Sequence, residues 1–319
     1  MHLKVLITGA NGPLGWAVRK VSANKSEKFE FLFTGSKELE LTDSRAVREY
    51  IEFHKPDTVM HLAAKSGGAN LNKLIPVDMF EKNINMTMNI LSASAKSNVS
   101  KVVLISSTAA YPAHREHPAI EKDLHAGPPS EQDFPYAFAK RMMDPLAKAY
   151  RTQYGLQISV VIVNGIVGPA MNFKKGESVM LAGLIRRFYE QQQLGERNQQ
   201  YLVYGDGTPI REYTFSVDIA SALFWLIEQQ SMPELINIGN SEGFSVREYA
   251  EIICDSLRID RNRIVFSELP GLTVARYNQM TDNSYFKKLS NFQYSNIASV
   301  IDLTTGWLVE NYQKIAACD

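Results

Sequence analysis

The chain has 319 residues, of which 45% are apolar, enough to bury a full core in one large or two interlocked domains. Its 34 basic and 34 acidic residues cancel, which leaves no electrostatic footprint for nucleic acid or for an anionic membrane surface. No apolar run reaches the roughly 18 residues of a spanning helix, the N-terminus carries no leader pattern, and Cys254 and Cys318 lie far apart, reading as reduced thiols of a cytoplasmic protein.

In chain order, an apolar strand over Leu3 to Thr8 breaks into Gly9, Gly12 and Gly15 and then into a helical pattern. The spacing is GxxGxxG at a strand-to-helix junction. Gly9 permits the tight turn, Gly12 lets backbone amides approach a pyrophosphate, and Gly15 lets the helix pack closely on the strand. Gly9, Asn11, Gly12, Pro13, Leu14 and Gly15 are therefore candidate dinucleotide contacts. A second strand, Phe29–Thr34, ends in Thr34-Gly35-Ser36-Lys37, with no carboxylate before Glu38. A carboxylate at a strand end of this kind would accept from ribose hydroxyls and repel a 2′-phosphate, whereas Ser36 and Lys37 suit the phosphate. NADPH/NADP is expected over NAD. Asp43, after Thr42 and before a helical run, has the residue type of a helix cap.

The third strand, Thr58–Leu62, runs into Ala63, Ala64 and Lys65, then Gly67 and Gly68. Leu62, Ala63, Ala64 and Lys65 are expected to contact the cofactor, Lys65, Gly67 and Gly68 to line its nicotinamide side, and Asn83 to fix the helix carrying Lys140. The fourth, Lys101–Ser106, closes on Ser107. About thirty residues on, Tyr136 and Lys140 stand four apart in PYAFAKRM, one helical turn and hence one face. An ammonium beside a phenol is expected to lower its pKa from about 10 and to let Tyr136 exchange a proton near neutrality, with Ser107 holding a substrate oxygen. Pro145 lies inside the same helical pattern and predicts a kink. A fifth strand follows at Ile158–Val163.

Strands alternating with helices define an α/β chain with a Rossmann-type, doubly wound parallel sheet. The regularity loosens after Gly168-Pro169. Residues 1–168 are expected to form the dinucleotide-binding domain, rejoined by a helix at about 214–232, and 169–319, including Ile236 onward, mainly a smaller substrate-binding cap. The active site should lie in the cleft between them.

The glycine loop, Ser107, Tyr136 and Lys140, taken with ELELTDSRAV, HLAAKSGGA, SSTAAYP, VGPAMNF, LIRRF and YGDGTPIREY in this order, resemble the extended short-chain dehydrogenase/reductases, and among them the GDP-L-fucose synthases. The resemblance covers most of the chain. It implies a nicotinamide-dependent reductase acting at C4 of a nucleotide-diphosphate sugar, GDP-linked, and a homodimer whose interface includes the helix after Tyr136. It also implies an adenine contact for Asp43. Tyr136 and Lys140 would then contact the cofactor as well as carry the chemistry. On the substrate side it implies Thr108, Asn164, Asn172, Val179, Arg187, Tyr204 and Arg211. Arg186 reads as a solvated helix face.

Departures from that family are equally specific. Fucose synthases have a cysteine in SSCIYP and a histidine after the NF segment, the acid/base pair that inverts C3 and C5. Here Ala109 and Val179 occupy those places, and neither can move a proton. The family's arginines for the 2′-phosphate are missing too. Ketone reduction without epimerisation is expected, on a hexose or a heptose. Rescue of the pair by Thr108, His114 or His117 is the minority outcome. The 4,6-dehydratases need an acidic pair where Ala109 and Ala110 stand. A 4-epimerase holding NAD tightly and a non-catalytic NADP sensor remain as alternatives.

Overall fold

The computed structural model describes residues 2–115, 117–196, 199–267, 279–317 and 319; Cys318 falls outside them. The first half alternates strictly: β1 (Leu3–Thr8), α1 (Pro13–Ser22), β2 (Phe29–Thr34), α2 (Ser44–His54), β3 (Thr58–His61), α3 (Ala69–Leu74), α4 (Pro76–Lys96), β4 (Lys101–Ser107), α5 (Phe134–Arg141), α6 (Met143–Tyr154) and β5 (Gln157–Val163). The second half contains β6 (Gly165–Val167), α7 (Met180–Gln193), β7 (Tyr201–Tyr204), β8 (Ile210–Phe215), α8 (Ser216–Glu228), β9 (Leu235–Ile238), β10 (Gly243–Ser245), α9 (Val246–Leu257), β11 (Ile264–Ser267), α10 (Ser284–Ser290) and α11 (Ile297–Ala316).

The main sheet has the order β2-β1-β3-β4-β5-β9, with every neighbouring pair parallel. Its strands are apolar on both faces because both are covered, and the period of two sorts their residues. Val5 and Ile7 enter a core shared with α1 and α8, while Leu6 enters the opposite core with α2, α4 and α6. The order reverses at β1, and at such a point the strand ends leave a crevice for a ligand.

The helix at 216–228 returns to the first core as the sequence implied, packing Ile219, Leu223 and Phe224 against Val18 and Phe29. The assignment of Ile236 onward to the cap does not hold for β9. Ile236 and Ile238 are buried in the main sheet beside β5, and Phe286 of α10 joins the same core. A four-residue strand interrupted by Asn237 is too short to carry a periodicity that could reveal this placement.

The cap proper packs α7, α9 and α11 around Phe188, Tyr249, Ile253, Ile301 and Leu308, with the small sheets β10-β8-β6 and β11-β7. Cys254 is buried there, and burial pushes its thiol up to about 12, far from thiolate chemistry at neutral pH. The expected kink at Pro145 falls where the helix is interrupted: α5 ends at Arg141 and α6 begins at Met143, with Met142 between them still helical in its backbone. Proline lacks the N–H that would bond the Arg141 carbonyl, so the turn opens there. Among the described residues no helix is long and apolar enough to cross a membrane.

Candidate active site

A single cleft of about 1120 Å³ runs from the glycine loop, past the C-terminal ends of β1 to β5, to the cap. A drug-sized ligand needs about 300–1,000 Å³, so the space suits two ligands meeting end to end. Gly9 has φ +70°, and a Cβ there would stand 2.6 Å from the Ala63 nitrogen. At Gly15 a Cβ would meet Ala10 Cα at 2.5 Å, so the helix can approach the strand only as glycine. Gly12, the N-cap of α1, would meet only the Gly9 carbonyl, at 3.5 Å, and its cleft side is open to an approaching anion. Helix N-terminus, glycine cradle and strand ends together fit a dinucleotide pyrophosphate.

Gly9, Asn11, Gly12, Pro13, Leu14, Gly15, Ser36, Leu62, Ala63, Ala64 and Lys65 all line this half of the cleft. Two expected contacts do not. Lys37 is exposed outside the lining, and Asp43 caps α2, accepting from Arg45 N at 2.9 Å and Ala46 N at 3.1 Å. Both bonds end on Oδ1 and satisfy two otherwise orphaned helix donors, the local use that residue type favours. Glu38 likewise turns away from any ribose role, accepting from Gly35 N at 2.8 Å. Asn83 fixes the loop after β3 instead of the Lys140 helix. Its buried amide accepts from Lys65 N at 3.1 Å and donates to Lys65 O at 2.9 Å, copying a strand neighbour.

Ser107, Tyr136 and Lys140 converge on the middle of the cleft. Ser107 closes β4, its hydroxyl accepts from Ala109 N at 3.2 Å, and it lies near enough to the Tyr136 phenol to favour its ionised form. Lys140 is 2% exposed and its Nζ donates to Ile105 O at 2.8 Å, 5.7 Å from the Tyr136 ring centroid. The expected lowering of the phenol by Lys140 is not what this arrangement gives. Burial pushes Tyr136 up to about 12, Ser107 opposes the rise, and the Asp133 carboxylate adds to it. Burial also drives Lys140 itself down to about 7, so its charge is too costly to dominate the site. The short helix carrying both is pinned from below and beside: Ser106 Oγ donates to Lys140 O at 3.0 Å, while Arg141 donates to Ala110 O and Gly127 O, each at 2.7 Å.

On the cap side Thr108, Ala109, Asn164, Asn172, Val179, Arg187, Tyr204 and Arg211 all line the cleft. The Arg187 guanidinium lies over the Tyr204 ring at 4.0 Å, a cationic plate stacked on an aromatic face. Arg186 is neither solvated nor in the cleft. It is 3% exposed and ion-paired with Glu190 and Asp319, and its NH1 donates to Phe173 O at 2.9 Å. One helical step separates it from Arg187, and that rotation alone divides a cleft cation from a buried strut. His114 and His117 are exposed, and among the described residues no histidine or cysteine lines the cleft. Asp133 and Glu177 do line it and were missed; Asp133, just before the Phe-Pro that opens the Tyr136 helix, was the readable one.

A glycine-cradled Rossmann sheet whose Ser, Tyr and Lys meet beyond the C-terminal ends of its strands defines an extended short-chain dehydrogenase/reductase. The chain belongs to the NAD dependent epimerase/dehydratase family, whose model matches residues 5–239. It is 29% identical to GDP-L-fucose synthase of Dictyostelium discoideum over 97% of this chain and 96% of that protein. It is 32% identical to GDP-L-fucose synthase of Sinorhizobium fredii over 79% of each. The crystal structure of a GDP-L-fucose synthetase from Naegleria fowleri bound to NADP superimposes with a TM-score of 0.88, at 30% identity, covering 98% of this chain and 95% of that one.

Proposed function

We propose that this chain is an NADPH-dependent reductase of the C4 ketone of a GDP-linked 4-keto-6-deoxy sugar, hexose or heptose, and that it leaves C3 and C5 unchanged. The observation that carries the reading is the meeting of Ser107, Tyr136 and Lys140 in a cleft where a methyl at Ala109 and an isopropyl at Val179 stand in the places of the family's acid/base pair, while the nearby Glu177 carboxylate is ion-paired with Lys174. Relatives named as GDP-L-fucose synthases and a neighbour bound to NADP support the nucleotide and the cofactor.

Bound NADPH would supply the hydride, its pyrophosphate held by the Gly9–Gly15 loop and its nicotinamide end beside Leu62 to Lys65. Tyr136 holds the proton. With a phenol at about 12 it is protonated at neutral pH and donates to the oxygen that gains charge as the ketone is reduced. Ser107 hydrogen-bonds that oxygen, and Lys140 orients the nicotinamide ribose. Arg187 and Arg211 would neutralise the diphosphate, Tyr204 would stack on the base or sugar, and Thr108, Asn164 and Asn172 would hydrogen-bond the sugar.

The second copy of a homodimer would cover the apolar stripe of Val77, Phe80 and Met88 on α4 with Phe134 and Phe138 on α5, all exposed. Turnover in deuterated water with a 4-keto nucleotide sugar and NADPH tests the central reading. Oxidation of NADPH with no deuterium at C3 or C5 is expected; deuterium at either carbon would overturn it, and binding of NADPH without turnover across a panel of such sugars would identify a sensor.

A further inference from the structure

Glu212, on β8, is 3% exposed and has no cationic partner among the described residues. Three donors compensate its burial: Thr281 N at 2.7 Å, Thr281 Oγ1 at 2.8 Å and Ser241 N at 2.8 Å. The carboxylate does not line the cleft. Beside it stands Asn164, which does. A Cβ on Gly239 would lie 2.6 Å from both Asn164 Nδ2 and Glu212 Oε1, so these two side chains share one wall of that glycine.

Asn164 is 7% exposed, yet neither atom of its amide completes a hydrogen bond with a described residue. A buried amide left this way costs about 1–3 kcal/mol per unsatisfied group. Such a group in a cleft wall is answered by a ligand. A carboxylate only accepts, so the amide must present its NH₂ to Glu212 and its oxygen elsewhere. Asn164 follows β5 directly, and Val163 pairs with Ser107, which sets the amide next to the serine that holds the reacting oxygen.

We infer that Glu212 is a positioning residue whose carboxylate, fixed by Thr281 and Ser241, turns Asn164 so that its Oδ1 faces the cleft and accepts a hydrogen bond from an N–H or O–H of a bound ligand. The same carboxylate joins the cap to the catalytic side. Thr281 bridges to Ala119 in the segment after β4, and Gln279 bridges to Arg211, the neighbour of Glu212 on β8. The inference rests on the reading of the cleft as a dinucleotide and nucleotide-sugar site.

Glu212→Gln, Asn164→Ala and the double variant test it by titration with NADPH, GDP and GDP-mannose, alongside thermal melting. Each single variant should weaken one probe class by about tenfold, equivalent to about 1.4 kcal/mol. The double variant should lose no more than the weaker single, as groups acting in series do. A loss for GDP-mannose without one for GDP places the ligand donor on the sugar; a loss for NADPH places it on the dinucleotide. Equal weakening of all three probes by Glu212→Gln, or losses that add, would overturn the positioning role. Unchanged binding in Asn164→Ala would do the same. Should Glu212→Gln fail to fold, Thr281→Val, which loosens the carboxylate without removing it, takes its place with the same outcomes. Wild-type protein that binds none of the three probes would overturn the cleft reading and the inference together, whereas normal wild-type binding with unaltered variants sinks the inference alone.

Discussion

Replacing Lys140 by methionine should stabilise the protein while destroying its activity. Lys140 falls from 10.5 to about 7 through burial. At about 1.36 kcal/mol per pKa unit, that gap is about 5 kcal/mol of cost to keep the charge in place. In the interval between about pH 7 and 10.5 the folded state binds fewer protons at this site than the unfolded chain, so wild-type stability rises with pH there and the full deficit is felt below it. Methionine removes the charge and keeps the stem. It loses the bond to Ile105 O, about 1 kcal/mol, and access of the amine to the open cleft trims the cost further, leaving a gain of about 2 kcal/mol at neutral pH. With an unfolding entropy of about 2.1 cal/mol/K per residue, 319 residues give about 0.7 kcal/mol/K, so Tm should rise by about 3 °C. Calorimetric scans of both proteins at pH 6, 7 and 10 read the effect, and the difference should shrink at the highest pH. A variant that melts below the wild type at pH 7, or by a margin independent of pH, would refute the reasoning. Turnover should fall at least about 100-fold at every pH, the usual cost of an electrostatically strained site.

Tyr136→Phe should lower turnover by about 10³-fold or more and leave NADPH affinity within about twofold, read by single-turnover absorbance and fluorescence titration. Normal reduction by that variant would remove Tyr136 as proton donor. His61 is held down to about 3 by burial and then by Lys140, so the folded state refuses a proton that the unfolded chain takes below about 6.5, and stability is lost as pH falls through that range. His61→Asn should flatten the acid limb by about 2 kcal/mol between pH 6.5 and 5, measured by urea melts; an unchanged slope would exclude the buried imidazole as its source. Phe138→Glu should convert a dimer to a monomer in light scattering at micromolar concentration, and a dimer that persists would place the interface elsewhere.

Much of this site was legible because its chemistry is local. Glycines in a strand-to-helix turn and a tyrosine one helical turn from a lysine have one geometric use each, and all of them reached the cleft. What failed depended on partners distant in sequence. Arg186 looks like any arginine on a helix until Asp319, at the far end of the chain, arrives beside it. Asp43 has the residue type for two roles, and the structure shows the capping one, with two orphaned amides within reach of its Oδ1. β9 was hidden because four residues, one of them Asn237, fit an edge strand or a cap loop equally well. The sign of the Tyr136 shift was misjudged because spacing tells that Lys140 is close but says nothing of how dry its surroundings are.

The break between α5 and α6 has a mechanical meaning. A long helix would couple the proton donor to everything packed along its length, so that a nudge at the far end would tilt the phenol. Here eight residues are moored to the Ser106 hydroxyl and the carbonyls of Ala110 and Gly127, and the helical bonding is interrupted before the next helix begins. The tyrosine therefore takes its bearing from the strand and loop beside the substrate, and substitutions along α6 are free to drift without retuning the reaction.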